Sequence, residues 1–270
     1  MELQIISVDL LEDYKNNNEE LFLEESFTFL RDSEWSKDSF SFYTSVSAVF
    51  SSKIEGENVE LDSFIKHKHF GTAYQPDYTR KIDDLYDAYL FAQQNLLNTQ
   101  NIYQVHTLLA KHLLRAELQG VFRKTNMFVV SNDGKIEYVA ALPNQVETEM
   151  EKLFEDIQIL LSAKLCLREV FYFAAMLHLV FVKIHPFADG NGRTARLLEK
   201  WFLAQKLGGK AWFLQSEQYY YEQHQIYYNN IRRIGLEYEL LNYGEALPFL
   251  QMLPNSISLS VDGKLKMDKE

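Results

Sequence analysis

The run "VFYFAAMLHLVFV", Val170–Val182, is apolar on every helical face apart from one histidine. A helix with no polar side cannot sit on a surface, so it must be wrapped by other elements. At thirteen residues it is also shorter than the ~20 that a membrane span needs. The chain therefore has to build a bundle around this helix. With 270 residues it is long enough to do so in one large domain or two small ones.

The remaining periodicity supplies the wrapping. "KIDDLYDAYLFAQQNLL" places Ile82, Leu85, Tyr86, Tyr89, Ala92 and Leu96 on one stripe, and Ile102–Leu114 repeats the pattern. "QVETEMEKLFEDIQILL" offers Val146, Met150, Leu153, Phe154, Ile157 and Leu161, and "GRTARLLEKWFLAQKLGG" runs to a helix stop at Gly208–Gly209. One region departs from helix: two β-branched or aromatic runs flank Asn132-Asp133-Gly134, which predicts a β-hairpin. Lys66–Arg80, with Gly71 and Pro76, is the nearest thing to a linker. The expected fold is all-α, a helical bundle carrying one hairpin. The last ~16 residues are expected as a weak strand pair or a frayed tail.

Composition narrows the function. The chain is 47% hydrophobic and 24% charged, as in a soluble globular protein. A net charge of −11 argues against a nucleic-acid binder, which needs a broad basic surface. The single cysteine, Cys166, excludes an intrachain disulfide and lies in an apolar pattern that predicts a buried, inert thiol. The first residues lack the basic and small-residue features of a signal peptide, so a cytoplasmic location is expected, with no membrane partner.

Immediately after the apolar run comes "IHPFADGNGRTAR", Ile184–Arg196. Pro186 ends the helix and restricts His185 to extended geometry at a helix-to-loop exit. Gly190 and Gly192 permit a tight turn and close approach of another group. The next helix starts there, and its free N–H groups and positive dipole end form an anion site. Arg193 and Arg196, spaced i, i+3, share one face of its first turns. Cations oppose the dipole at that end, so stability does not explain them, whereas a polyphosphate over the helix start does. Asp189 beside a phosphate implies a bridging Mg²⁺, and His185 can take a proton from an incoming hydroxyl. The constellation reads as nucleotidyl or phosphoryl transfer.

His185 to Arg196 matches the Fic family signature HPFx(D/E)GNGRxxR at every defined position. The chain resembles that family over roughly residues 75–250, including "GVFRK" at Gly120–Lys124 and a hairpin flap at Val129–Val139. The resemblance implies a Fic-type helical bundle with His185 as base and Asp189 holding Mg²⁺ on the α- and β-phosphates of ATP. It implies that Asn191 and the backbones of Gly190 and Gly192 cradle those phosphates. Arg193 would contact the β-phosphate, Arg196 the γ-phosphate, and Phe187 would anchor the loop. The flap would pair with a protein substrate by strand addition. The reaction implied is transfer of AMP to a Ser, Thr or Tyr hydroxyl, with release of pyrophosphate. Gly190 and Gly192 argue against the phosphotransferring branch, whose loop is different and carries a lysine.

"SSKIEGE" contains Ser51-x-x-x-Glu55-Gly56, which is similar to the inhibitory motif (S/T)xxxE(G/N) of many Fic proteins. Ser51 and Glu55 are i, i+4 neighbours beside a stripe of Tyr43, Val46, Phe50 and Ile54, and Gly56 reads as a helix stop. Its place before the core implies an N-terminal inhibitory helix. The expected organisation is a helical region at 1–75, a core at 76–252 and a tail at 253–270. The same motif leaves a second class open: a nucleotide-binding regulator, or a protein that removes AMP.

Other residues have plainer readings. His178 is expected as a hydrogen-bonded core histidine, and His67 and His69 as surface residues without a third metal ligand. Family resemblance makes Tyr227 and Tyr228 candidates for stacking on the base, with Asn229 or Asn230 bonding adenine. The tyrosine-rich surface allows a homodimer.

Overall fold

The computed structural model describes residues 2–18, 20–32, 37–74, 76–130, 134 and 136–257. Helices α1 (Leu11–Asn17), α2 (Glu20–Asp32), α3 (Lys37–Ile54) and α4 (Leu61–Phe70) precede α5 (Pro76–Gln94) and α6 (Thr99–Leu109). A hairpin of β1 (Phe128–Val130) and β2 (Ile136–Val139) follows, then α7 (Val146–Ser162), α8 (Leu167–Ile184) and α9 (Asn191–Leu207). The short helices α10 (Ser216–Glu222), α11 (His224–Arg233) and α12 (Leu247–Leu250) close the bundle.

Helix α8 is the axis. Every residue from Val170 to Ile184 is buried, as its all-apolar pattern demands. Of its polar side chains, His178 lies between Glu199 and Tyr227, and Lys183 donates to Gly235 O at 2.9 Å. One hydrophobic cluster runs from Ile6 through α8 and α9 to Ile257. The hydrophobic cluster spans the boundary expected at residue 75, and residues 253–257 of the expected tail are helical. The rest of the expected tail, 258–270, lies outside the described residues, as do Asn132 and Asp133 of the hairpin turn. The flanking strands pair antiparallel, Phe128 with Val139 and Val129 with Tyr138.

Tertiary contacts moved several elements from their expected places. Lys66–Phe70 belongs to α4, which Gly71 ends in the left-handed conformation, so the linker begins only there. Helix α6 stops at Leu109 instead of Leu114, because Asp84 takes His112 by both its N–H (2.9 Å) and its Nδ1 (2.7 Å). Leu96 is 71% exposed and Leu97 is buried instead, since α5 ends at Gln94 and the helical register lapses there. Cys166 is exposed at the start of α8, where Glu169 reaches back to its N–H at 2.9 Å. It starts the apolar helix and is not part of the buried face.

The N-terminal segment is held by a single buried carboxylate. Asp156 of α7 accepts the N–H groups of Gln4, Ile5 and Ile6 at 2.7, 2.9 and 2.9 Å. Charge-assisted bonds of this kind are worth ~1.5–3 kcal/mol each in place. Asp156→Ala is expected to lower stability by about 2 kcal/mol or more in denaturant unfolding. Amide exchange at Ile5 and Ile6 should quicken; unchanged protection there would show that the segment is held by other contacts.

Candidate active site

Two helix ends and the loop between them make the site. Helix α8 terminates at His185, whose φ of 53° and ψ of 60° are left-handed and not extended as Pro186 suggested. It is the one non-glycine residue with positive φ among those described. Such a conformation costs energy and persists only where the surroundings over-determine it. Arg123 does so. Its Nε donates to His185 O at 2.6 Å, and its Nη2 to Ala141 O at 2.5 Å and Ile184 O at 3.2 Å. Its own N–H donates to Pro186 O at 2.8 Å. The sequence marked "GVFRK" only by resemblance; this grip is the reason for its arginine.

The His185 ring is neutral and its tautomer is set. Burial, only partly offset by the Val182 carbonyl, pulls its pKa down to about 4. Nδ1 lies 3.2 Å from Val182 O, which can only accept, so Nδ1 carries the proton and Nε2 keeps a free lone pair. Tyr138 of the hairpin brings its hydroxyl to 3.1 Å from the same Nδ1, which ties the flap to the base.

The turn is shaped from within. Phe187 is fully buried and stacks on His106, with ring centroids 3.6 Å apart and planes 9° from parallel. The Asn191 amide accepts Phe187 N–H and donates to Phe187 O, both at 2.8 Å. That side chain is spent on the loop, so only the backbone of Asn191 faces any ligand. His106, which the sequence offered only as part of a stripe, accepts Gly120 N–H at Nδ1 (2.8 Å). Its Nε2–H must then donate to Asp189 O at 2.9 Å. Gly190 has φ 79°, and a Cβ there would stand 2.7 Å from Leu109 Cδ1. Asp189 is exposed, its Oδ1 accepting Gly190 N–H at 2.6 Å.

Over the first turn of α9 stands a carboxylate. A Cβ on Gly192 would lie 2.3 Å from Glu55 Oε1, so glycine is required by that approach. Arg196, 1% exposed, donates from Nη2 to Glu55 Oε1 at 2.6 Å and to Ser51 O at 3.0 Å. Its Nε donates to Ser51 Oγ at 2.9 Å and its Nη1 to Tyr227 Oη at 3.3 Å. Burial works to raise the Glu55 pKa, but Arg196 and Arg193 outweigh it and hold the carboxyl below its usual range. Burial equally works against the Arg196 charge, and Tyr227 and Glu55 more than restore it. Arg193 is 5% exposed, and its Nε and Nη1 have no hydrogen-bond partner. Ser51, Glu55, Arg193 and Arg196, distant in sequence, thus meet at one helix start. Gly56 follows Glu55 with φ 87°.

Other candidates fall elsewhere. Tyr227 is 1% exposed, its hydroxyl beneath Arg196 and its ring among Tyr220, Tyr228 and Phe249, so it has no free face for a base. Tyr228 is half-buried against Tyr227 and His224. Asn230 is occupied with Pro248 O at 3.2 Å, and Asn229 is exposed. His67 binds Thr72 O and Asp83, and His69 approaches Ser41. Among the described residues no group of three His, Cys, Asp or Glu could hold a metal, and no helix is long and apolar enough to cross a membrane.

This loop geometry has known relatives. Residues 96–203 match the Fic/DOC family. The chain contains a Fic domain. Over 176 residues, the Fic-domain chain is 28% identical to a protein adenylyltransferase Fic from Nematostella vectensis, covering 65% of this chain and 36% of that protein. It thus spans little more than a third of that relative's length. The same fold occurs in a Fic family protein from Desulfovibrio desulfuricans, with a TM-score of 0.76 at 16% identity over 100% of this chain and 78% of that one. A Fic domain containing signaling protein from Bacteroides thetaiotaomicron matches with a TM-score of 0.67 at 19% identity, covering 89% and 94% of the two chains. Fic-1 from C. elegans gives 0.66 at 15%, covering 96% and 73%.

The buried histidine under the loop predicts an acid-labile site. The His106 pKa is pulled by burial from 6.5 to about 4, so the unfolded chain binds a proton that the folded one refuses. Its stabilising contribution is complete above pH 6.5 and lost as pH falls toward 4. Between pH 7.5 and pH 5 this one group should cost ~2 kcal/mol of stability. His106→Gln should flatten the pH dependence of the denaturation midpoint by about that amount; an unaltered slope would mean that His106 is not the titrating group.

Proposed function

We propose that this chain is an autoinhibited AMP-transferase, which moves AMP from ATP to a hydroxyl side chain of a target protein and releases pyrophosphate. The observation that carries the reading is the Glu55 carboxylate over Gly192, where an anion at the start of α9 would stand. Beside it, the partnerless Nε and Nη1 of Arg193 leave donors for a second anion. An internal carboxylate in an anion site, next to a base and an exposed acid, fits a polyphosphate enzyme held in check. The name of the Nematostella protein supports the same activity.

The chemistry follows from the residues. The N–H groups that open α9, with Arg193 and Arg196, receive the phosphates beyond the scissile bond. His185 Nε2 accepts the target hydroxyl's proton. That oxygen bonds to the α-phosphorus as the bond to the α,β-bridging oxygen breaks, and pyrophosphate leaves. Asp189, exposed at the turn, suits Mg²⁺, which takes one carboxylate together with phosphate oxygens and water. Bound there, the ion would offset the phosphate charge. The hairpin would take an extended target segment on its edge, with Tyr138 fixing the distance from that edge to His185.

Inhibition needs only the end of α3 to act. The body of the helix is fastened to α9 by Ser47 on Lys200 at 2.7 Å and Ser51 on Arg196 at 2.9 Å. Glu55 lies past the last helical turn, so the carboxylate can leave while α3 stays. Glu55→Gly should raise AMP transfer at least about tenfold, a change of ~1.4 kcal/mol. His185→Ala should lower it by ~10²–10⁴-fold, and the double variant should be silent. Autoradiography with α-labelled and γ-labelled ATP decides: only α-label should reach protein. Transfer of γ-label would make the reaction a phosphorylation, and an unchanged Glu55→Gly rate would leave Glu55 a plain helix-end acid.

A further inference from the structure

Beneath Arg196 a hydrogen-bonded chain runs through the core, and its donors and acceptors can be assigned. Glu199 Oε2 lies 2.9 Å from Tyr220 Oη and 2.8 Å from His178 Nδ1. A carboxylate oxygen accepts from both, so Nδ1 bears a proton, and in the singly protonated ring Nε2 is the acceptor. At the other end every nitrogen of Arg196 is a donor, so Tyr227 Oη accepts from Nη1. The Tyr227 proton is then directed to His178 Nε2, 2.9 Å away. Burial holds the Tyr227 pKa up at about 12, so that proton is present.

Stability gives little reason for such a chain. Glu199, His178 and Tyr220 are fully buried and Tyr227 is 1% exposed, among apolar and aromatic neighbours that shape-matched apolar residues could join at no loss. Glu199 Oε1 has no hydrogen-bond partner, so the carboxylate bonds through Oε2 alone, to Tyr220 and to His178 at the head of the chain. Arg196's other bonds go to Ser51 and Glu55, on α3 and just past it. Tyr227, on α11, holds the guanidinium from an element that carries no inhibitory residue.

We propose that Glu199, His178 and Tyr227 form a positioning relay for Arg196. The relay polarises the Tyr227 oxygen toward the guanidinium and keeps that cation aimed at the start of α9 when Glu55 yields to the terminal phosphate of a nucleoside triphosphate. The identity of that anion rests on the AMP-transfer reading; the tether does not.

Two measurements on the full chain separate these. The first titrates ATP and AMP, each with Mg²⁺, calorimetrically into Glu55→Gly, alone and combined with Tyr227→Phe, His178→Leu or His178→Gln. Tyr227→Phe and His178→Leu should weaken ATP about tenfold and leave AMP within about twofold, because AMP has no terminal phosphate for Arg196. His178→Gln, whose amide oxygen can accept the Tyr227 proton, should recover most of the ATP affinity. Equal losses for both nucleotides would mark a packing role, and no loss would equally overturn the relay. The second measurement follows the Arg196 guanidinium by NMR without nucleotide in the Glu55→Gly background. Tyr227→Phe should quicken rotation about its Cζ–Nη bonds, and unchanged rotation would overturn the tether. Absence of ATP binding in every variant would refute the AMP-transfer reading, with the tether still decided by the rotation.

Discussion

Arg196 is a full cation, 1% exposed, on the first turns of a helix whose dipole is already positive at that end. A charge so placed must be met by oxygen wherever the chain goes, because an unpaired buried guanidinium would cost several kcal/mol. Ser51 supplies two acceptors, Glu55 a third and Tyr227 a fourth. The packing of α3 against α9 and the glycine at 192 both follow from that demand. Lys200, one turn further along α9, repeats it with Ser47 and with Glu217, to which Tyr89 also donates. The helix that leads to Glu55 is thereby part of the core and not an appendage.

The loop before α9 is held by a different economy. Its strained residue, His185, is gripped through its carbonyl by Arg123, and its turn is gripped through Asp189's carbonyl by His106. Phe187 and Asn191 fill and brace the space between. These contacts fix the backbone that carries the His185 ring, the exposed Asp189 carboxylate and the first N–H groups of α9. Side chains whose backbones are fixed in this way have little to reorganise on binding.

Much of this was legible before any coordinates. An all-apolar helix had to be central, and α8 is. A contiguous run that combines a base, an acid, two glycines and two arginines follows no hydrophobic periodicity, so it stood out as a candidate site. The hairpin was readable from its turn residues. What misled was local logic applied where tertiary contacts rule. Proline geometry placed His185 in an extended conformation, but Arg123 pays for the left-handed one. Helical spacing put Cys166 in the core and family resemblance put Tyr227 on a nucleotide, whereas the first begins its helix and the second lies under a guanidinium.

The sequence by itself determined the central helices, the His185–Arg196 loop and the presence of a serine–glutamate pair upstream, because these depend on residues within a few positions of one another. Only the tertiary structure decided what that pair touches, since Glu55 and Arg196 are 141 residues apart and no periodicity joins them. It likewise decided the hydrogen-bond partners of His106 and His178, which are the Gly120 N–H, the Asp189 carbonyl, the Glu199 carboxylate and the Tyr227 hydroxyl, all brought in from distant segments. Short-range sterics and burial patterns are written along the chain, but the pairing of buried charges is settled only when distant segments close around them.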